Sequence, residues 1–224
     1  VVVRWTDASG SHTERFAEVL AAAGRRPNLD LDLEVAGLEL DRRGIPVTDP
    51  HTGQCGDSPV FLAGDATAFR PLLHEAADEG RRAGANAASW PLVEAGPRRA
   101  PLGIAFTDPQ MGLVGKRYAE LDLDATAIGS VSYDDQGRAR VMGKASGLVR
   151  IYAQQGTGRL LGAEMLGPRV EHTAHLLSWA VQQGLTAAEA LSMPFYHPVV
   201  EEGIRTGLQD VARHLQLSSC GRNG

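Results

Sequence analysis

Cysteine is scarce in this sequence and is not arranged for redox chemistry. The 224 residues include two cysteines, Cys55 and Cys220, which stand far apart and form neither a CxxC nor a CxxxxC pair. A disulfide framework is therefore not expected. Because free thiols persist in reducing compartments, the composition favours a cytoplasmic protein.

Long apolar runs and an excess of positive charge are also missing. No stretch approaches the roughly 18 apolar residues of a membrane span, and residues 1–5 resemble a strand rather than a signal peptide. The formal net charge of −5 argues against nucleic acid or an anionic membrane as the main partner. What remains is an ordinary globular composition, 43% apolar and 22% charged, with length for one large domain or two modest ones.

A change of composition at residues 90–101, which hold three prolines and a glycine, predicts a domain boundary. Before it, residues 1–7 predict a strand, and residues 14–23 suit either a helix or a buried strand. The short apolar run at residues 60–65, bounded by turn residues, predicts a strand buried on both faces of a parallel sheet. A helix over residues 72–89 is expected to follow.

Strands dominate the sequence after the boundary. Three segments alternate or are β-branched and predict strands: residues 126–133, 147–153 and 160–166. The glycine-containing residues 154–159 predict that the last two strands form an antiparallel hairpin. Residues 106–115, which contain Thr-Asp-Pro and two glycines, predict only a structured turn.

Helices are predicted at the end of the chain. A first helix covers residues 171–183, and Thr186 with Glu189 form the capping box of a second, short one. The last helix has one apolar face, made by Ile204, Leu208, Val211, Ala212 and Leu215.

Gly64 and Asp65 follow the predicted buried strand, at the end of the sheet where α/β proteins bind ligands. The carboxylate of Asp65 can accept hydrogen bonds from ligand hydroxyls, and Gly64 allows a ligand close to the backbone. The helix start near Leu73 and His74 offers free N–H groups to an electron-rich oxygen. The alternative is an ordinary strand that ends in a Gly-Asp turn.

His197 precedes a proline, and Glu202 follows about one helical turn into the final helix. A carboxylate on one imidazole nitrogen fixes the tautomer and leaves the other nitrogen for a substrate, which is the arrangement of a general base. The alternative is a histidine that only caps or packs. Glu164, within an apolar strand, is expected to be exposed on the face of that strand.

Taken in order, these segments resemble the C-terminal half of the class I pyridine nucleotide-disulfide oxidoreductases, most closely the dihydrolipoamide dehydrogenases. The resemblance implies an α+β fold in which remnants of α/β dinucleotide-binding domains precede an interface domain with a mostly antiparallel sheet flanked by helices. Residues 1–47 would come from the NAD(P)-binding domain, residues 48–98 from the FAD-binding domain, and residues 99–224 would form the interface domain.

The resemblance also implies cofactors and roles for single residues. FAD and a nicotinamide cofactor, NAD or NADP, are the implied cofactors. The sequence does not distinguish NADH from NADPH. Asp65 would hydrogen-bond the ribitol of FAD, Gly64 would permit the close approach, and the backbone N–H groups of Leu73 and His74 would face the pyrimidine edge of the flavin. No metal site is implied.

For the catalytic side, the resemblance implies a homodimer. His197 would be the base that serves the active site of the other subunit and takes a proton from a thiol, with Glu202 as its partner. The His197–Pro198 peptide bond is expected to be cis. The implied substrate is a small dithiol or disulfide, or a lipoyl domain.

The sequence departs from this family in several places. Neither the FAD-binding GxGxxG nor the redox CxxxxC is present, Ala23 stands where threonine is usual, and Arg150 replaces a lysine. The chain alone is therefore expected to be inactive and to mediate dimerisation.

The single cysteine in the tail, Cys220, faintly resembles the paired cysteines of mercuric reductases. A mercuric reductase, a glutathione reductase-like protein, a transhydrogenase relative and a non-enzymatic dimerisation module remain as alternatives. Residues 1–98 are expected to be marginally stable alone, because apolar faces would stay uncovered.

Overall fold

The computed structural model describes residues 1–215, so the tail with Cys220 lies outside the described residues. The chain divides into two compact units, Val1–Pro97 and Arg98–Gly224. No helix within residues 1–215 is both long and apolar enough to cross a membrane.

The first unit contains a hairpin and one long helix. Strands β1 (Val2–Asp7) and β2 (Gly10–Arg15) pair antiparallel. The helix α1 (Leu73–Ser89) confirms the helix predicted over residues 72–89. Of residues 14–23, for which either a helix or a buried strand was expected, only residues 14 and 15 belong to a strand, the end of β2. Residues 16–23 form neither helix nor strand.

The buried parallel strand predicted at residues 60–65 is wrong. Phe61 makes a single antiparallel bridge to Gln54, and Val60 is 37% exposed. A strand buried on both faces needs neighbouring strands and a helix layer on each side, and residues 1–97 supply no parallel strand. Apolar side chains elsewhere in the unit are exposed as well, among them Leu20 and Val35.

The second unit is built on a five-stranded antiparallel sheet with strand order β3-β4-β7-β6-β5. Its strands are β3 (Leu102–Ala105), β4 (Gln110–Gly115), β5 (Thr126–Ser132), β6 (Leu148–Gln154) and β7 (Leu160–Gly167). The three predicted strands are confirmed as β5, β6 and β7, and β6 and β7 form the predicted hairpin. β3 was not predicted, and β4 occupies most of the segment interpreted as a turn.

Helices cover one face of this sheet. They are α2 (Gly137–Val141), α3 (Val170–Gln182), α4 (Ala187–Leu191) and α5 (Glu202–His214). The Thr186–Glu189 capping box of α4 is confirmed. The core between sheet and helices contains Val149, Ile151, Met165, Val170, Leu177, Ile204, Leu208 and Val211. The predicted α+β fold, an antiparallel sheet flanked by helices, is thus confirmed.

Helix α5 lies unusually close to strand β5. A Cβ atom added to Gly129 would lie 2.6 Å from Cγ2 of Val211, and closer still to backbone atoms of Gly207 and Val211. On the same side, Asp210 of α5 accepts a hydrogen bond from the backbone N–H of Ser130 at 2.8 Å. The sheet therefore sets the position of α5, whose first residue is Glu202.

Candidate functional site

The imidazole of His197 and the carboxylate of Glu202 form a hydrogen-bonded pair. Nδ1 of His197 lies 2.9 Å from Oε1 of Glu202. Glu202 begins α5, and His197 lies in the loop that leads into the helix. The side chain of His197 is 81% exposed and that of Glu202 28%. The ring is therefore held by its acid partner and open to the outside.

The second oxygen of Glu202 holds the loop. Oε2 accepts a hydrogen bond from the backbone N–H of Val199 at 3.1 Å. The hydrogen bond from His197, followed by that from Val199, lowers the pKa of the Glu202 carboxyl. Because an ionised carboxylate only accepts, the neutral ring carries its proton on Nδ1 and Nε2 is the basic nitrogen.

The backbone around His197 is also defined. The predicted cis peptide bond between His197 and Pro198 is confirmed. Val200, two residues further on, is buried at 5% exposure and fixes the loop to the core. The pair can therefore take a proton at Nε2 from a group outside, while the carboxylate stabilises the imidazolium that results.

Gly64 and Asp65 begin a short 3-10 helix (Gly64–Thr67) rather than ending a strand. Gly64 has a φ of +71° and its N–H donates to Oε2 of Glu79 at 2.7 Å. An added Cβ would lie 3.0 Å from the Cβ of Ala76, so α1 passes close to this turn. The carboxylate of Asp65 is partly exposed, with Arg25 Nη1 at 3.9 Å, which is too long for a hydrogen bond.

The start of α1 lies beside this turn. No side chain caps its N-terminus, since the N-cap position is taken by Leu72. The first N–H groups of a helix have no partner within the helix, and both Leu73 and His74 are exposed. A partly exposed carboxylate and an uncapped helix start suit a ligand that has hydroxyl donors and an electron-rich carbonyl.

The predicted site residues thus form two groups. Gly64 and Asp65 lie with Leu73 and His74 in the first unit, whereas His197 lies with Glu202 in the second. No group of three or more His, Cys, Asp or Glu side chains suited to a metal ion occurs among residues 1–215.

Glu164 is less exposed than predicted. Its Oε2 accepts a hydrogen bond from the hydroxyl of Tyr152 at 2.8 Å, and Oε1 accepts from the N–H of Tyr118 at 3.1 Å. Arg150 is its cross-strand neighbour on β6. Opposite charges on adjacent strands of a predicted hairpin favour such a cross-strand pair, and this is the sequence signal for it.

The sequence did not predict two further side chains, one beside each group of site residues. Glu79 is buried and holds the N–H of Gly64, and Gln136 is buried and donates to the carbonyl of Val199 at 2.8 Å. The contact of Gln136 joins residues 63 apart. No local pattern predicts such a pair.

The antiparallel sheet with its helices, together with an exposed His–Glu pair before the last helix, agrees with the interface domain that the sequence resembles. Residues 102–207 match the family model described as pyridine nucleotide-disulphide oxidoreductase, dimerisation domain. Residues 102–207 therefore belong to this domain family, and the findings support a correspondence of the chain to the C-terminal part of a class I pyridine nucleotide-disulphide oxidoreductase.

Curated relatives with similar sequences include dihydrolipoyl dehydrogenases and mercuric reductases. The chain is 32% identical over 220 residues to a dihydrolipoyl dehydrogenase of Halobacterium salinarum, which covers 96% of this chain and 45% of that protein. A dihydrolipoyl dehydrogenase of Haloferax volcanii is 31% identical, with 91% of this chain and 43% of the relative covered. A mercuric reductase of Acidithiobacillus ferrooxidans is 30% identical, with 95% and 39% covered. The chain spans less than half the length of these relatives.

Solved structures share the fold. LpdA from Mycobacterium tuberculosis superposes with a TM-score of 0.77 at 24% identity, covering 92% of this chain and 45% of that one. The HOCl-induced flavoprotein disulfide reductase RclA from Escherichia coli gives a TM-score of 0.68 at 21% identity, covering 89% and 47%.

Proposed function

We propose that this chain is part of an FAD-dependent, dihydrolipoamide dehydrogenase-like oxidoreductase that transfers electrons between NAD(P)H and a dithiol or disulfide substrate. The observation that carries the proposal is the exposed imidazole of His197, held through Nδ1 by Glu202. Dithiol oxidation requires a base that deprotonates a thiol, because the thiolate is the nucleophile. The cytoplasm, with its reducing thiol pool, is the proposed compartment.

Within that reaction, His197 accepts the substrate thiol proton at Nε2 and returns it in the reverse direction. Glu202 orients the ring and stabilises the imidazolium. The sequence has no CxxC or CxxxxC motif that could act as the redox disulfide. The chain therefore supplies the base, and a cysteine pair from elsewhere in the enzyme supplies the exchange chemistry.

FAD fits the first group of residues. Asp65 would accept hydrogen bonds from ribitol hydroxyls, Gly64 would allow backbone contact, and the N–H groups of Leu73 and His74 would donate to the pyrimidine edge. The uncapped start of α1 and the partly exposed carboxylate of Asp65 support this assignment. When bound, FAD supplies the two-electron acceptor between NAD(P)H and the disulfide.

A homodimer is the proposed assembly, and the match of residues 102–207 to a dimerisation domain supports it. Helix α3 presents exposed apolar side chains on its outer face, among them Trp179 at 70% exposure and Leu176 at 42%. Large exposed aromatic residues typically anchor protein interfaces. We include this outer face of α3 in the proposed contact between subunits.

Mercuric ion reduction is the second candidate, favoured by the 30% identity to a mercuric reductase. The His197–Glu202 pair favours the dithiol reaction instead, because reduction of a metal ion does not require deprotonation of an organic thiol.

The test uses the enzyme encoded by the complete gene. We expect about one FAD per chain, oxidation of dihydrolipoamide with NAD(P)+, and little reduction of mercuric ion. The readouts are flavin absorbance and nicotinamide absorbance at steady state. An enzyme that reduces mercuric ion but not lipoamide, or one that contains no flavin, contradicts the proposal.

In the same enzyme, Asp65→Ala is expected to weaken FAD binding about 10- to 100-fold, since hydrogen bonds to a charged group are worth about 1.5–3 kcal/mol. Titration of the apoenzyme with FAD measures this change. Asp57→Ala is the matched control, because Asp57 lies exposed in a preceding loop. Equal affinity in both variants contradicts the role of Asp65.

Trp179→Glu in the 224-residue chain is expected to weaken dimerisation about 30-fold or more, as loss of a hot-spot residue costs about 2 kcal/mol or more. Sedimentation equilibrium measures the dissociation constant. Val141→Glu is the control, since Val141 is also exposed but lies on α2. A Trp179→Glu chain that dimerises like the control excludes the outer face of α3 from the contact.

A further inference from the structure

Gln136 connects the end of β5 to the loop that carries His197. Its side chain is 9% exposed and its amide is oriented by two contacts. Oε1 accepts a hydrogen bond from the N–H of Ala139 at 2.7 Å, and Nε2 donates to the carbonyl of Val199 at 2.8 Å. The first contact caps α2. The second reaches the loop between His197 and α5.

We propose that Gln136 is a positioning residue for the His197–Glu202 pair, acting through the backbone of Val199. The base role of His197 rests on the proposed function, whereas the coupling between these groups rests on the geometry alone.

The peptide groups of Val199 are held at both ends. Its N–H donates to Oε2 of Glu202, and its carbonyl accepts from Gln136. Glu202 uses its other oxygen for Nδ1 of His197. The contacts therefore form one continuous chain from Gln136 through Val199 and Glu202 to the imidazole. A change at Gln136 frees the carbonyl of Val199, and the adjacent N–H then has more freedom to leave Glu202.

The first turn of α5 packs against Tyr133, which lies close to Gln136 in the chain. An added Cβ on Gly203 would lie 3.2 Å from the ring of Tyr133, so the first turn of α5 rests directly on a fully buried aromatic side chain. Tyr133 also accepts, through its carbonyl, the backbone N–H of Gln136. Residues 133–136 thus contact both the start of α5, through Tyr133, and the loop before it, through Gln136.

A purely structural role is the competing explanation, since Gln136 also caps α2. Two substitutions separate the roles. Gln136→Glu keeps an oxygen for the N–H of Ala139 but removes the donor to Val199. Gln136→Leu removes both contacts without adding charge. Gln155→Glu introduces the same charge change in the exposed β6–β7 connection and serves as the control.

The measurement is made on the 224-residue chain by ¹³C NMR titration of the Glu202 carboxyl, with thermal melting recorded in parallel. The hydrogen bonds from His197 and Val199 lower this pKa, with a smaller contribution from the charge of Arg205. We expect the pKa of Glu202 to rise toward its ordinary value in both Gln136 variants and to stay unchanged in Gln155→Glu. In the complete enzyme we expect kcat to fall about tenfold in Gln136→Glu, the loss of roughly one hydrogen bond.

A lower melting temperature with an unchanged Glu202 titration in both variants overturns the inference and leaves Gln136 as a cap. If Gln136→Leu does not fold, Gln136→Met, which is also uncharged and lacks both polar groups, takes its place, because the charge of Gln136→Glu alone can raise the pKa of Glu202. A failure of the proposed function is distinguishable: turnover that survives loss of His197 removes the base role, while the NMR readout, which needs neither flavin nor substrate, still tests the coupling.

Discussion

Replacing His197 by Gln in the complete enzyme is expected to lower turnover of the dithiol about 10²- to 10⁴-fold, the usual contribution of a general base. Glutamine keeps a donor for Oε1 of Glu202 but has no nitrogen that accepts a proton. Because His197 is exposed and lies outside the core, the fold should be unaffected. The loss is expected in kcat and in kcat/KM alike, since proton transfer belongs to the transition state.

The control for this substitution is His214→Gln, at the opposite end of the same helix. It changes an exposed histidine on α5 without touching the pair, so wild-type turnover is expected. FAD content is measured in both variants to show that the flavin site is intact. A His197→Gln enzyme with more than about a tenth of wild-type turnover is incompatible with the base role, given the size of general base catalysis.

Gly129→Ala is expected to cause a large loss of stability in the second unit. The new methyl group would overlap backbone atoms of α5, which a side-chain rotation does not relieve. Overpacking of this kind costs about 3 kcal/mol, and for a chain of this size it corresponds to a fall in melting temperature of roughly 6–12 °C. The displacement of α5 should also disturb Glu202, because this residue begins the helix.

Gly103→Ala is the matched control, since Gly103 lies in β3 of the same sheet and an added Cβ meets nothing within 4 Å. Calorimetry of the 224-residue chain compares the two variants with the parent. Equal melting temperatures for both substitutions contradict the close packing of α5 on β5.

The sequence correctly predicts helices and strands that have a clear apolar pattern and that pack or pair with other segments of this chain. The apolar spacing of the last helix is an example, as Ile204, Leu208 and Val211 are all buried against the sheet. The β6–β7 hairpin is another, because both of its strands and its connection are local. His197 and Glu202 were paired from sequence because a proline and one helical turn separate them.

Prediction failed where glycines interrupt the alternation of a strand, and where a strand-like segment has no neighbouring strand to pair with. β4 alternates poorly because Gly112 and Gly115 occupy positions where a Cβ would collide with Val170 and with the backbone of Leu161. Residues 60–65 have the composition of a buried strand, but residues 1–97 contain no parallel neighbour for them. Gln136 could not be found, since its partner depends on the tertiary fold.

The hydrogen bond from the N–H of Ser130 to Asp210 has a consequence for assembly. β5 is an edge strand, and this N–H points away from its only neighbour, where an incoming strand would otherwise pair. The opposite edge, β3, has only four residues. Short or covered edges prevent a sheet from continuing into another molecule. The covered N–H on β5 and the short β3 therefore disfavour an assembly in which one sheet continues from one copy into another.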